Sequence, residues 1–231
     1  MKNLSAIILG AAIVIAGAML PYSVAKLKSY DRTVTVKGLC EREVKADKVI
    51  WPIVYKVVGN DLQELLREIE NDNNAIVKFI TGGGVPAEQI TISSPAISDK
   101  YADEYGNNDR VNRFIITNVV TVCSDQVDDV LKLQRSSSDL LKMGISLVPE
   151  NWDNQTEFAY EALNDIKPEM IEEATANARE AAQKFAQDSD SHIGKILTAS
   201  QGTFSINDRD ANTPYIKRVR VVTYVTYYLK H

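Results

Sequence analysis

Apolar and polar positions change period several times along this chain, and each change marks an element. Residues 32–39, "RTVTVKGL", set Val34 and Val36 against Thr33, Thr35 and Lys37, the two-residue period of a half-buried strand. Residues 48–58 repeat that period with Val49, Trp51, Ile53, Tyr55 and Val57 on one face, and Pro52 points to an edge or a bulge. The next stretch turns helical. Leu62, Leu65, Leu66, Ile69, Asn73, Ile76, Val77 and Ile80 recur at helical spacing behind the capping pair Asp61 and Glu64. Strands are read at 90–99 and 111–123, joined by the polar turn "YADEYGNNDR", and a second helix at 124–143 closes at Gly144. "ISLVPE" and "TEFAYEAL" read as two strands, residues 167–188 as a third helix closed by Gly194, and 195–206 with 215–229 as a final pair. The order is β-β-α three times and then a closing β-hairpin. It predicts an α+β fold of antiparallel sheets with helices packed on them.

Three consecutive glycines, Gly82, Gly83 and Gly84, follow the first helix and precede a strand. A phosphate cradle needs the opposite order, glycines opening a helix whose free N–H groups face the anion. Here the negative end of the helix faces them, so the triplet is expected to end the helix, where glycine accepts a left-handed backbone without a Cβ clash.

Residues 4–20 are apolar apart from Ser5 and carry no charge. As a helix they would reach about 25 Å, close to the thickness of a bilayer core. Residues 1–28 are therefore expected to be a membrane anchor or a cleaved export signal, with "SVA" at 23–25 as a cleavage site, and 29–231 the folded domain. Lys2 competes with Lys26, Lys28 and Arg32, so charge leaves the orientation open.

On the third helix, Ile171, Ala174, Ala178, Ala181 and Phe185 form one stripe, read as packing on the helix's own sheet or as a subunit interface. The rest of the chemistry is thin. Cys40 and Cys123 leave a disulfide, buried free thiols or a reactive thiol open; there is no Cys-x-x-Cys. His192 is expected to cap a helix C-terminus. The acidic pairs Asp128-Asp129 and Glu172-Glu173 suit solvated helix faces, with Arg179 a partner for the acids of its own helix. Tyr224, Tyr227 and Tyr228 alternate faces on the last strand. With a net charge of −5 and one small basic cluster, Lys217, Arg218 and Arg220, expected on an exposed strand edge, nucleic-acid binding is not expected. No catalytic residue, metal site or cofactor is expected either.

"VTVKGLCEREVKAD" at 34–47, the helix–Gly–"ITIS" passage and the later "PEMIEEATANAREAAQKFA…IGKI" together resemble the SIMPL-domain family from Thr33 to Leu229. That family includes exported immunogenic envelope proteins and proteins labelled oxidative-stress defence. The resemblance implies a periplasmic α+β domain that self-associates into rings, without an accepted enzymatic activity. Leu39-Cys40 depart from the family pattern, which often places a second glycine there. The expected function is a non-enzymatic envelope domain, membrane-tethered through residues 4–20 or exported to the periplasm. It would act as a homo-oligomer or by binding envelope partners. The alternative is a carboxylate-based enzyme with its site between sheet and helices.

Overall fold

The second strand shows how the pattern becomes structure. Every odd position from Val49 to Val57 is buried, and the computed structural model sets that face against a helix. The structure describes Gly10, Val14, Ile15, Gly17 and residues 32–102 and 111–230; the expected anchor otherwise lies outside the described residues.

In chain order the elements are β1 (Thr33–Lys45), β2 (Lys48–Gly59), α1 (Leu62–Gly82), a 3-10 turn (Ala87–Gln89), β3 (Ile90–Ile92), β4 (Ala96–Asp99) and β5 (Phe114–Ser124). There follow α2 (Val127–Arg135), α3 (Ser138–Lys142), β6 (Glu157–Ala159), α4 (Leu163–Asp188), β7 (His192–Gln201), β8 (Ser205–Asp208) and β9 (Ile216–Lys230). The mix is α+β, and the register of β2, β3, β4 and β6 in their sheet is antiparallel throughout. Several details differ from the expected pattern, among them strand 195–206, which divides into β7 and β8. Strand 90–99 breaks into β3 and β4 around Pro95. The second helix breaks into α2 and α3 at Ser136-Ser137. Of "ISLVPE", only Leu147 pairs, in a single bridge to Tyr55.

The chain divides into two units. The first holds Met1–Arg42, Asn164–Ile206 and Val219–His231; the second holds Glu43–Leu163 and Asn207–Arg218. In the second unit the sheet runs β3-β5-β2-β6, with β4 also on β5. Its core joins the odd face of β2 to Ile116, Val120 and Val122 of β5 and to Leu65, Ile69, Ile76 and Ile80 of α1. Pro52 costs no hydrogen bond: β6 pairs only with Lys48–Ile50, so at Pro52 that side of β2 has no β6 partner. The first unit is built on a sheet of order β1-β9-β7, with β8 also on β9. Its core is small: Val36, Ala178, Ala182, Val225 and Tyr227.

Helix ends follow one device. Asp61 caps α1, its carboxylate accepting the N–H groups of Gln63 (2.8 Å) and Glu64 (3.2 Å). At the other end Gly84 has φ +99°, its N–H donates to the Thr81 carbonyl (3.1 Å), and the Val85 N–H reaches back to Ile80 (3.4 Å). This is the Schellman pattern, with Ile80 and Val85 both buried across it. The expected role of the triplet is the observed one. Gly144 (φ +93°) ends α3 in the same way, with Gly144 N–H to Leu141 (3.0 Å) and Ile145 N–H to Leu140 (3.1 Å). On α4 the left-handed residue is Asp190 (φ 50°), with Ser191 N–H to Ala186 at 2.8 Å, so Asp190 and not Gly194 closes that helix. Helix α4 also starts earlier than read, at Leu163, with Pro168 inside it. Just before its start, the Asp47 carboxylate accepts the N–H groups of Glu161 and Ala162, both at 2.8 Å.

Candidate functional site

In the second unit the chain leaves α3 and runs beside β2. Lys56 N–H donates to the Ser146 carbonyl (3.0 Å) and Val148 N–H to that of Val54 (2.7 Å). The loop from Pro149 to Thr156 then folds on itself through its asparagines. Asn154 Oδ1 accepts the Asn151 N–H (2.7 Å), and Asn151 Oδ1 accepts the Asp153 N–H (2.9 Å). Asn154 is buried, while Trp152 at the tip is 96% exposed.

This loop borders an open groove of about 810 Å³. β2 contributes Trp51 to Val54; α2 contributes Leu131 and Gln134; Leu141 comes from α3. Phe158 and Tyr215 add an edge-on aromatic pair with centroids 6.1 Å apart, and Pro149 and Pro214 line it too. Tyr215 is anchored by its carbonyl, which accepts the Ala46 N–H at 2.8 Å. One carboxylate, Glu150, is the only charged group among the described residues lining the groove. It is held in place: the buried Thr156 hydroxyl donates to Glu150 Oε1 (2.6 Å) and accepts from Gln134 Nε2 (2.8 Å). The size and the mix of aromatic, apolar and few polar groups are those of a binding site.

A second polar cluster lies in the core of the same unit. The Tyr55 hydroxyl donates to Asn73 Oδ1 (3.0 Å) or to the Ile69 carbonyl (3.1 Å), and Asn118 Nδ2 reaches Asn73 Oδ1 at 2.9 Å. Burial pushes the Tyr55 phenol up to about 12. Burial, and then the Glu68 charge one helical turn away, raise the Asp72 carboxyl.

The residues singled out from the sequence fall as follows. Cys40 and Cys123 are both free thiols, Cys40 buried in the first unit and Cys123 exposed in the second. Glu173 of α4 lies beside the Cys40 thiol. Burial first, then Glu173, pushes that thiol up to about 11, the reverse of a reactive cysteine. His192 caps nothing; it is the first residue of β7, opposite Lys230. Three of the acids are ion-paired: Asp128 with Lys45, Asp129 with Lys132 (2.7 Å) and Glu173 with Arg42 (3.5 Å). On α4, Glu180 pairs with Lys184 at 3.2 Å. The basic cluster sits on β9, an interior strand between β1 and β7, where Lys217 is buried against Asp208. Tyr227 is buried, and Tyr224 on the opposite face lies under Lys37, 5.2 Å from its ring centre.

The α4 stripe is shifted from its sequence reading. The buried residues are Met170, Ala174, Ala178, Ala182 and Ala186, facing the helix's own sheet. Ala174 and Ala178 belong to that face; Ile171 and Ala181 border it; Phe185, 61% exposed, points away. Several elements of the groove were placed from sequence but were not brought together as a groove. Its one legible signal was "PENWDNQT", a tryptophan inside a run of turn-forming residues.

Fold and site describe an α+β domain with an open groove. The SIMPL family, described as a protein of unknown function (DUF541), matches residues 34–226, and this chain belongs to it. The comparison with curated proteins gives no match.

Proposed function

We propose that this SIMPL chain is a non-enzymatic cell-envelope domain, tethered to the membrane or exported through residues 4–20, that acts by assembling with copies of itself and by binding other envelope components. The observation that carries the assembly is β7. It is the last strand on its side of the β1-β9-β7 sheet, ten residues long, with Ile196 and Leu197 44% and 45% exposed. An edge of that length with open apolar side chains is a template for another strand, and natural edges usually guard against it with charge, proline or cover. A ring is one closed form of such a contact.

The address rests on sequence. Residues 4–20 are uncharged, and Val14 and Ile15 are exposed where described. Among the described residues no helix is long and apolar enough to cross a membrane. A role in envelope stress is the part of this reading that the resemblance alone supports.

Light scattering of the full chain in detergent tests assembly. The expected result is a defined oligomer that Ile196→Lys with Leu197→Lys shifts to smaller species. A monomer at every concentration would remove the assembly half. Protease accessibility in intact and osmotically opened cells tests the address: protection in intact cells and cleavage after opening of the outer barrier are expected.

A further inference from the structure

The groove of the second unit has a chemistry of its own. Phe158 and Tyr215 present partly exposed rings, Trp51 lines the groove with only 6% of its surface exposed, and Glu150 is the one charge among the described residues lining it. Aromatic faces and a carboxylate share one preference, an organic cation: the ring quadrupole attracts it and the carboxylate takes charge-assisted hydrogen bonds from it. The carboxylate is positioned in advance, since the Gln134–Thr156–Glu150 chain fixes one oxygen from a buried hydroxyl. The remaining lining is apolar, with Pro52, Pro149 and Pro214 among it. The groove is open to solvent, and the exposed Trp152 stands on the loop that borders it. An apolar groove with a single carboxylate is complementary to an apolar peptide segment that brings one positive charge.

We infer that this groove binds a mainly apolar peptide segment of a partner protein that carries one arginine or lysine, with the cation on Glu150. This rests on reading the chain as a binding domain and names the chemistry of its partner. It is independent of the assembly through β7, so each can fail alone.

The protein reports on the groove itself. It has two tryptophans, one lining the groove and one on its bordering loop. The full chain in lipid nanodiscs is screened against a positional-scanning hexapeptide library, and the selected peptide is titrated by tryptophan fluorescence. Selection of one basic residue flanked by apolar ones is expected, with saturable binding at least ten-fold weaker when glutamine replaces that base. Glu150→Gln is expected to lower affinity for the basic peptide about ten-fold and to leave the glutamine peptide unchanged, with circular dichroism confirming the fold. No selected peptide, selection of acidic or uncharged peptides, or equal binding by Glu150→Gln overturns the inference. Equally tight binding of a simple alkylguanidine overturns the peptide assignment in favour of a small amphipathic cation. Light scattering on the same samples shows whether assembly survives, which separates this failure from that of the assembly reading.

Discussion

Gly38 on β1 lies so close to α4 that a Cβ placed on it would stand 1.8 Å from the carbonyl oxygen of Ala174 and 2.8 Å from the Cβ of Ala178. Neither contact is with a flexible side-chain end that could swing away. Glycine on the strand and alanine on the helix are therefore one design: the small core of the first unit is reached by bringing backbones together, not by adding bulk. Gly38→Ala should push the helix off the sheet and lower stability by about 1–3 kcal/mol, read by urea unfolding. Ala174→Gly, which removes a buried methyl but leaves the closest atom, the carbonyl oxygen, in place, should cost about 1 kcal/mol through the helix alone. Destabilisation of Gly38→Ala that is no larger than that of a surface substitution would break the link.

The glycine triplet should split into three different responses. Gly82 has open space around it and ends the helix, so Gly82→Ala is expected to be neutral or to stabilise by about 0.5–1 kcal/mol. Gly83→Ala would meet the Leu133 side chain at 2.4 Å, and Gly84→Ala would hold alanine at φ +99°. The first loss is steric and the second is backbone strain of about 1–2 kcal/mol. Thermal unfolding of the three single variants distinguishes them.

Asp72 gives the protein a pH dependence of known sign. Its carboxyl is raised in the fold by burial and by Glu68, so the folded state holds this proton more tightly than the unfolded one. Stability from this group is present at low pH and is lost as pH rises from the ordinary carboxylate value of 3.8 through the raised one. Asp72→Asn should accordingly raise the melting temperature at pH 7 and leave it nearly unchanged near pH 3. An equal gain at both would show the effect is not ionisation.

The thiols should react in two stages. At pH 8 a thiol reagent is expected to label one equivalent, Cys123, in the native protein, and Cys40 only after unfolding. As the Cys40 thiol is raised from 9.0 to about 11, its part in stability falls as pH climbs through that window, and Cys40→Ala should flatten that fall. Two equivalents labelled at once in the native state would contradict the burial of Cys40.

The parts of the fold that could be read in advance are those where a local pattern decides alone. The buried odd face of β2, the Asp61 cap and the glycine stop of α1 each depend on neighbours within a few residues. The stripe on α4 was misplaced because alanine satisfies either of two adjacent faces; the sheet opposite, through Gly38, selects the one centred on Ala174, Ala178 and Ala182. His192 and the 217–220 cluster were misjudged because a position beside a helix end or on an edge depends on which strands pair later. The groove was hidden for the same reason. Gln134 comes from α2 and Glu150 and Thr156 from the loop after α3, and only the fold makes them one hydrogen-bonded chain.

The stop of α4 carries a consequence for the whole molecule. At Asp190 the chain bends into a left-handed turn with a residue whose own Cβ opposes it, where two sister helices use glycine. Exchanging that one aspartate for glycine should firm the protein by about 1 kcal/mol. Asp190 thus sets, at a left-handed backbone, the angle at which the chain leaves α4 for β7, the end strand that the proposed assembly would use.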